Sequence, residues 1–432
     1  MCGLIMAKGY TEGQIRSAMS HMGYRGKDGK KGVSFRGGWA LGHVRLAIQD
    51  LSDYSDQPLT GSDFSLAYVG ELFGTSGRVE LDLIHDTFDS QGPKGFQSMD
   101  GFWSIATIHN DGHAQAFTDY LGQKPLYVWE DKDIVCSEIE PMFLLQTPPE
   151  WDEVYFANVI KFGYDCTGRT PYQGIRQLAP GTVVHFTPRD EVFDYPYWSW
   201  DYVENISPAY FHRLFHKATM DRLVGDREVA LLLSGGLDSS IIYYVLQDAG
   251  VAVKSFSIEN GETEFLPEGV ELLKTEPVDM LQALAAMQVP VDLGSMIPQY
   301  QLGLALKKAG FNVCLSGDGA DELFGGYRRA MEYDSQASDV FMELPYYHLP
   351  RLDRVMMRHT VELRSPFLNP HIVKLALRLP YSQRTEKQFL KQVFKGVVPD
   401  RILERKKHPL KTTAVIEGGI QYRKQLVEIF KC

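Results

Sequence analysis

Apolar residues in the first two hundred positions fall into short runs rich in β-branched and aromatic side chains. Three such runs predict β-strands over residues 65–69, 102–108 and 182–186. The sequence Asn110-Asp111-Gly112, which follows the second run, predicts a hairpin turn. We also expect helices over residues 12–22 and 81–90. The pattern predicts an α+β region of stacked antiparallel sheets, followed by a surface segment over 188–208 that crosses to a second region.

From residue 208 onwards the pattern changes to an alternation of helices and buried strands. We predict a helix over 208–223, strands over 229–233, 251–258 and 311–315, and further helices after residue 241 and over 302–309. This alternation is typical of an α/β domain with a parallel sheet and right-handed crossovers. Ligands bind such sheets at the carboxyl ends of the strands. Two of the three predicted strands end there in Gly-rich polar sequences, SGGLDSS and SGDGADE.

The first of these sequences predicts an anion-binding turn between a strand and a helix. Gly235 and Gly236 allow the backbone to approach a bulky oxyanion, and a helix N-terminus offers free N–H groups. Ser234 and Ser239 add hydroxyl donors. Asp238 would repel a phosphate unless Mg²⁺ lies between them. We therefore predict a Mg²⁺–pyrophosphate site, distinct from a Walker A loop because GxxxxGK[ST] does not occur.

The second sequence carries three carboxylates within five residues, Asp318, Asp321 and Glu322. Clustered anions are costly unless a metal ion or a cationic ligand lies among them. We predict that Asp321 and Asp238 hold one Mg²⁺ together, while Asp318 faces the reacting centre.

Composition narrows the function classes further. The chain has 432 residues, 44% hydrophobic and 23% charged, with a formal net charge of −11. The negative charge argues against nucleic-acid binding, and we expect no membrane association because no apolar run approaches the length of a span. The five cysteines are scattered without a CxxC pair, so neither a disulfide framework nor a zinc site is indicated. A cytoplasmic location fits this usage.

Cys2 is the reactive residue of the N-terminal half. Removal of the initiator Met would leave Cys2 with a thiol and a free α-amino group, a nucleophile and a base on one residue. Its surroundings resemble class II glutamine amidotransferases in residues 41–50, 57–59, 69–73, 99–106, 119–127, 136–139 and 178–181. The resemblance implies an Ntn-type sandwich in which Cys2 attacks the glutamine amide. It also implies that Arg45 binds the glutamine carboxylate, Gly70 contributes to the oxyanion hole, and Glu71 and Glu80 hold the amino group.

Two departures from that family predict a weakened glutaminase site. Val69 stands where the family has Asn, and valine donates no hydrogen bond to the oxyanion. Losing one such donor costs on the order of 10²–10³ in rate. Glu80 stands where the family has a shorter Asp. The alternative is a relic domain that is retained for packing.

The C-terminal half resembles the synthetase domain of glutamine-dependent asparagine synthetases in residues 234–240, 316–327, 361–368 and 386–391. The resemblance implies an ATP-pyrophosphatase fold that activates the aspartate side chain as an acyl-adenylate, which ammonia then attacks. It implies that Lys387 neutralises the phosphates and that Asp318 accepts a proton as ammonia adds. It also implies an adenine and ribose site lined by Leu233, Ile258, Ser316 and Gly317.

We therefore expect two domains, a glutamine amidotransferase-like domain over 2–200 and an ATP-pyrophosphatase domain over 207–432. The leading hypothesis is a ligase that makes asparagine from aspartate, ATP and glutamine or ammonia, with Mg²⁺ as the metal. One alternative is a related amide- or ring-forming ligase acting on another carboxylate. Another is a non-catalytic nucleotide-binding protein. The segment 259–277 is shorter than in the family, so a helix is expected to be lost there, and a homodimer is left open.

Overall fold

The computed structural model describes residues 2–29, 32–74, 78–199, 207–258, 263–292, 294–327, 340–405 and 420–431. Residues 200–206, where the two predicted domains meet, and residues 259–262 of the shortened segment lie outside this description. None of the helices within it combines the length and the hydropathy that a membrane span requires.

Two antiparallel sheets of six strands each form the N-terminal region. The strands are β1 (Gly3–Lys8), β2 (Val33–Arg36), β3 (Trp39–Val44), β4 (Leu59–Thr60), β5 (Phe64–Leu72), β6 (Gly101–His109), β7 (Ala114–Thr118), β8 (Tyr127–Trp129), β9 (Ile134–Cys136), β10 (Ile175–Gln177), β11 (Thr182–Phe186) and β12 (Val192–Pro196). The first sheet has the order β10-β8-β9-β1-β3-β2, and the second has the order β12-β11-β7-β6-β5-β4. The antiparallel sandwich is confirmed, and Asn110-Asp111-Gly112 does form the turn between β6 and β7.

A parallel five-stranded sheet forms the centre of the C-terminal region. Its strands are β13 (Val229–Leu232), β14 (Ser255–Ile258), β15 (Glu271–Leu273), β16 (Val313–Leu315) and β17 (Glu362–Arg364), in the order β15-β14-β13-β16-β17. The parallel α/β sheet is therefore confirmed. The strand expected over 251–258 begins only at Ser255, because residues 251–254 are not paired as a strand. The carbonyl of Lys254 still accepts a hydrogen bond from the Leu231 N–H of β13.

Thirteen α-helices within the described residues surround these sheets. They are α1 (Glu12–His21), α2 (Arg78–Gln91), α3 (Glu153–Phe162), α4 (Pro208–Asp221), α5 (Leu237–Asp248), α6 (Met280–Met287), α7 (Met296–Lys308), α8 (Ala320–Leu323), α9 (Pro370–Arg378), α10 (Tyr381–Arg384), α11 (Gln388–Val393), α12 (Asp400–Leu403) and α13 (Ile420–Lys431). Two π-helical segments, Leu344–His348 and Arg351–Val355, lead towards β17.

Three layers of apolar packing hold the molecule together. The small layer between the two antiparallel sheets contains Cys2, Leu4 and Val69. The outer face of the second antiparallel sheet packs into one continuous core with the parallel sheet, and the outer face of the first packs against α1, α3, α6 and α13. The N-terminal and C-terminal regions therefore share buried surface. This contact brings the carboxyl ends of the parallel strands towards the amidotransferase-like sandwich.

The segment after β14, where the loss of a helix was expected, is described from residue 263 onwards. Its described part, residues 263–277, consists of a 3₁₀ turn at Thr263–Phe265 followed by strand β15, and it contains no α-helix. The edge strand on this side of the parallel sheet is therefore β15, which has only three residues.

Candidate active sites

The turn between β13 and α5 has the geometry of an anion site. Gly236 caps α5 without a side-chain hydrogen bond, so the first N–H groups of this twelve-residue helix have no side-chain cap. Gly235 has a φ of +75°, which favours glycine. The Oγ of Ser239 accepts a hydrogen bond from the Ser234 N–H at 3.2 Å and holds the turn in shape.

The second Gly-rich loop packs directly against this turn. It follows β16, the neighbour of β13 in the sheet. A Cβ added to Gly317 would lie 2.7 Å from the Cβ of Asp238, so only glycine allows the two loops to approach this closely. Leu233, Ile258 and Ser316 are buried at the ends of the same strands. The residues that the resemblance assigned to the nucleotide therefore lie on one edge of the sheet.

Lys387 joins the two loops through their carboxylates. Its Nζ lies 2.7 and 2.6 Å from the two carboxylate oxygens of Asp238 and 2.5 Å from Oδ1 of Asp321. Burial alone would lower the pKa of Lys387, but the two carboxylates raise it above its ordinary value. The lysine is therefore a fixed positive charge beside the free end of α5.

The backbone at Lys387 is held in an uncommon conformation. Glu386 and Lys387 have φ values of 53° and 59°, in the left-handed region that non-glycine residues seldom adopt. The N–H of Glu386 donates to the Gly325 carbonyl at 3.2 Å, and the N–H of Lys387 donates to the Phe324 carbonyl at 3.1 Å. Strain of this kind persists where surrounding contacts enforce it, and it concentrates at functional sites.

Asp238 and Asp321, the two residues expected to hold Mg²⁺, do lie close together, but both carboxylates contact the amine of Lys387. Asp238 and Asp321 both contact Lys387, and within the described chain no group of three or more His, Cys, Asp or Glu side chains is arranged to hold a metal ion. Two carboxylate groups are the kind of ligand that Mg²⁺ accepts alongside substrate phosphates. The donor set fits the metal only together with a phosphate-bearing ligand.

Asp318 has a cationic partner that the sequence did not reveal. Nη2 of Arg351 lies 2.6 Å from its Oδ1, and Nη1 of Arg351 donates to Ser295 at 2.8 Å. The hydroxyl of Ser365 donates to the Asp318 carbonyl at 2.6 Å. Arg351 lies 33 residues away on a π-helical segment, and no local motif marks it.

Arg405 is a second cation that the sequence reading missed. Its Nη1 donates to the Gly235 carbonyl inside the anion-binding turn, and its guanidinium stacks 4.3 Å from the ring centroid of Phe265. Lys387 therefore contacts this part of the chain through Asp238, and Arg405 contacts it through the Gly235 carbonyl. Arg405 belongs to no recognisable motif, so its contact with Gly235 could not be predicted from the sequence.

The N-terminal site is built around Cys2 at the start of β1. Its Sγ donates to the Leu46 carbonyl at 3.8 Å, and burial raises the pKa of the thiol to about 11. Val69 belongs to the same apolar layer and presents no donor there. Gly70 has a φ of +145°, and an added Cβ would lie 1.9 Å from the Phe102 carbonyl oxygen, so this position requires glycine.

The two glutamates that the resemblance assigned to glutamine lie close together, and Glu80 is already engaged. Its carboxylate accepts hydrogen bonds from the Tyr68 hydroxyl at 2.5 Å, the Gln49 amide at 3.0 Å and the Leu72 N–H at 2.5 Å. Burial raises the pKa of Glu80 to about 7. Burial, followed by the charges of neighbouring glutamates including Glu80, raises the pKa of Glu71 well above its ordinary value.

Arg45 is held by its own segment of chain. Its Nη1 donates to the Ser52 carbonyl at 2.6 Å and to Asp56 at 3.1 Å, and its Nη2 donates to the Asp50 carbonyl. Arg45 directly follows β3, and Cys2 directly precedes β1, and these two strands pair with Val44 opposite Gly3. The sequence-derived residues of this candidate site therefore come together, and Arg45 and Glu80 are held by hydrogen bonds within the chain.

Comparisons with known proteins agree with this two-part architecture. The family model described as glutamine amidotransferase domain matches residues 1–198, and the model described as asparagine synthase matches residues 211–345 and 333–426. A probable glutamine-hydrolyzing asparagine synthetase of Acanthamoeba polyphaga mimivirus is 23% identical over 90% of this chain and 79% of its own length. The asparagine synthetase of Triphysaria versicolor is 23% identical over 94% and 77%. The Gibberella zeae amidase chry2 is 24% identical over 73% of this chain, which covers 55% of the amidase.

The fold and the matched domains define a chain in which a glutamine amidotransferase sandwich precedes a parallel sheet with an anion-binding turn. This chain belongs to the asparagine synthase family.

Proposed function

We propose that this protein is an ATP-dependent amide ligase that converts aspartate to asparagine, with AMP and pyrophosphate as the other products. The observation that carries the proposal is Lys387, a buried cation held by Asp238 and Asp321 beside the uncapped end of α5. Family membership supports a ligase of this type. The small-molecule substrates would be aspartate, ATP, and ammonia or glutamine.

The nucleotide would lie at the carboxyl ends of β13, β14 and β16. Adenine and ribose would pack on Leu233, Ile258, Ser316 and Gly317, and the phosphates would meet the turn of Ser234, Gly235, Gly236 and Ser239. Mg²⁺ would be held by Asp238 and Asp321 and would supply further charge neutralisation for the phosphates. Free N–H groups at a helix end and a buried lysine are the groups that such an anion requires.

The chemistry would proceed in two balanced steps. A side-chain carboxylate oxygen of aspartate attacks the α-phosphorus and pyrophosphate leaves, with Lys387 offsetting the charge that develops. Ammonia then attacks the acyl carbon, AMP leaves with the bonding electrons, and Asp318 takes a proton from the nitrogen. Arg351 would position the Asp318 carboxylate for this transfer, because it donates to one of its oxygens.

Nitrogen would come from free ammonia more readily than from glutamine. In the proposed 2–200 domain Cys2 would be the nucleophile, Arg45 and Glu71 would bind glutamine, and Gly70 would contribute the oxyanion hole. Val69 removes one oxyanion donor, and three donors within the chain occupy Glu80. The proposed 207–432 domain would retain the full ligase chemistry.

A ligase with the same chemistry and a different acceptor carboxylate is the second candidate. The segment after β14 favours it, because its described residues 263–277 hold one 3₁₀ turn and one short strand. Because this segment is short, it would leave space at the edge of the sheet for an acceptor carboxylate larger than aspartate. Pyrophosphate release across a panel of carboxylates would separate the two candidates.

The proposal is tested by product analysis with purified protein, ATP, Mg²⁺ and aspartate. We expect equimolar AMP, pyrophosphate and asparagine with ammonium chloride, and a rate at least tenfold lower with glutamine, in line with the loss of an oxyanion donor. ADP as the nucleotide product would exclude this mechanism. Equal rates with the two nitrogen donors would show that the glutaminase site is intact.

A further inference from the structure

Three histidines form a row on the outer face of the second antiparallel sheet. His109 ends β6, His113 directly precedes β7, and His185 lies in β11, where it pairs with Gln115. The N–H of His109 donates to the His113 carbonyl at 2.9 Å, so these two residues lie opposite each other across the hairpin. Because side chains alternate along a strand, His113 shares a face with Gln115 and is a diagonal neighbour of His185.

The rings of His113 and His185 present nitrogen atoms to each other. Nδ1 of His113 lies 2.9 Å from Nε2 of His185, and the two ring centroids are 5.0 Å apart. His185 also packs against Phe193 of β12, with 5.0 Å between the ring centroids. Both histidines are partly exposed, so ions in solution can reach them. We call His113 and His185 the histidine pair.

The protonation of His185 suits a metal ligand at neutral pH, because imidazole binds metals in its neutral form. Burial, followed by the charges of His113 and His109, lowers the pKa of His185 below its ordinary value. Nδ1 of His185 lies 3.4 Å from the side-chain amide of Gln115, whose oxygen and nitrogen exchange places by a half-turn. An acceptor there holds the proton on Nδ1 and leaves Nε2 free for a metal ion.

The spacing of the two facing nitrogens selects a class of metal ion. Bonds from imidazole to a metal are about 2.0–2.1 Å long, so nitrogens 2.9 Å apart subtend an angle of about 90° at the metal. A tetrahedral ion would need nitrogens about 3.3 Å apart. A right angle is typical of the tetragonal geometry of Ni²⁺ and Cu²⁺. Hard ions such as Mg²⁺ prefer oxygen ligands.

We propose that the histidine pair binds a divalent transition metal ion of tetragonal preference, Ni²⁺ or Cu²⁺, with water completing the coordination. Among the residues that the structure describes, no three His, Cys, Asp or Glu side chains are arranged to hold a metal ion, so the site has two protein ligands. His109 is not a third, because its Nε2 lies 3.2 Å from the Thr107 hydroxyl and is engaged there. A bound ion would join the β6–β7 hairpin to β11.

The histidine pair lies far from the Cys2 site. Strands β5 and β6 pair along their whole length, with Gly70 opposite Trp103 near one end and Phe64 opposite His109 at the other. At about 3.4 Å per residue, Trp103 and His109 are about 20 Å apart. A metal ion on the histidine pair would therefore stabilise the sandwich without touching the candidate glutaminase site. The inference does not rest on the proposed function.

Binding is tested by calorimetric titration of the full chain with NiCl₂ at about pH 7.5, where imidazole is neutral. We expect one Ni²⁺ ion per chain, with an affinity that an excess of Mg²⁺ leaves unchanged. At about pH 5 the affinity should fall at least tenfold, because the imidazoles become protonated. Absence of Ni²⁺ binding at the higher pH would overturn the proposal and leave the pair as a hydrogen bond between two rings. Displacement by Mg²⁺ would overturn it as well.

Matched variants locate the ion. His113→Ala and His185→Ala should each weaken Ni²⁺ binding about tenfold or more, because each removes one of two ligands. His216→Ala should retain the affinity, although His216 lies one turn from His212 on α4 at a spacing that can also bind a metal. Cys166→Ser, which removes an exposed thiol, should retain it too.

The variants also define the contrary result. Full affinity in either alanine variant of the histidine pair would overturn the proposal. Loss of affinity in His216→Ala would place the ion on α4, and loss in Cys166→Ser would place it on the thiol, so either loss would overturn the proposal. If one variant of the pair does not fold, the other decides.

Discussion

At the scale of single residues, Lys387 is the centre of the proposed ligase site. It is 6% exposed, its backbone is strained, and two loops converge on its amine. The left-handed backbone conformation of Lys387 costs conformational free energy. Such strain is retained at functional sites, and here it would hold the amine in position for an anionic ligand.

Replacing this lysine should separate chemistry from folding. Lys387→Met keeps the volume and removes the charge, so we expect pyrophosphate release to fall at least a hundredfold. Asp238 and Asp321 would be left without their cation, which predicts a loss of stability of about 3–5 kcal/mol. Lys395→Met, at an exposed lysine eight positions further on, should leave both the rate and the urea midpoint unchanged. Full activity in Lys387→Met would refute the assigned role.

The thiol of Cys2 predicts the pH dependence of glutamine hydrolysis. Burial raises its pKa to about 11, and the thiolate is the nucleophile. Because the thiolate fraction grows tenfold per pH unit below the pKa, glutamate release should rise about tenfold per unit between pH 7 and 9. The measurement is glutamate formation without aspartate or ATP, with Cys2→Ser as the blank. A plateau near pH 8 would show that another group, such as the α-amine, limits the reaction.

Some residues of the candidate site could be predicted from the sequence and others could not. Lys387, Asp238 and Asp321 stand in motifs, and the structure brings them within hydrogen-bonding distance. Arg351 and Arg405 belong to no motif and reach the site only through the fold. No pattern in the sequence predicts that Lys387 itself lies between the two carboxylates expected to hold Mg²⁺.

At the scale of elements, the strands and helices predicted from the sequence pattern are present, but they are only six of the seventeen strands and five of the thirteen α-helices in the described residues. Strand 182–186 and helix α1 were predicted within one residue. The crossing segment predicted over 188–208 was partly wrong, because residues Val192–Pro196 form β12 and pair with β11 at the sheet edge. The aromatic and Pro residues of this segment are typical of a linker when the sequence is considered alone. They form a strand because β11 lies beside them and provides the hydrogen-bonding partner. Strand β1 was not predicted, because its fully buried run lacks alternation.

The contact between the two Gly-rich loops makes an element-scale prediction. Gly317→Ala places a methyl group 2.7 Å from the Cβ of Asp238 and 3.0 Å from the Ser239 nitrogen, so the loops must separate. We expect activity to fall more than tenfold and stability to fall by about 1–3 kcal/mol. Gly13→Ala, in α1 with no atom within 4 Å of the added Cβ, should raise stability by up to about 1 kcal/mol. Equal behaviour of the two variants would contradict the close approach.

At the scale of the whole molecule, a buried ion network joins the N-terminal and C-terminal regions. Arg25 contacts Glu138 and, at 2.7 Å, Asp353 of the π-helical segment, which Lys124 also contacts at 3.2 Å. All four side chains are at most 5% exposed. Burial opposes ionisation of Asp353, but Arg25 and Lys124 hold its pKa below the ordinary value. The network therefore links the N-terminal region to the π-helical segment that also carries Arg351.

Removing the Asp353 carboxylate, which both Arg25 and Lys124 contact, should destabilise the folded chain. Asp353→Asn leaves Arg25 and Lys124 buried without their partner, so we expect a loss of about 3–5 kcal/mol in unfolding free energy at pH 7. The stabilisation by Asp353 exists above its unfolded pKa and is lost as pH falls through the lower folded pKa. The difference between the two proteins should therefore shrink below about pH 4. Asp190→Asn, at an exposed pair with Lys8, should cost less than about 1 kcal/mol at either pH.

The central claim is that the anion-binding turn, Lys387 and Asp318 activate a carboxylate by adenylation. It is tested most directly by supplying aspartate with ¹⁸O in its side-chain carboxylate, together with ATP, Mg²⁺ and ammonium, and analysing the products by mass spectrometry. Adenylation predicts one ¹⁸O atom in the phosphate of each AMP formed and one in the side-chain amide of asparagine. Recovery of the label in inorganic phosphate, or of AMP without label, would contradict the mechanism.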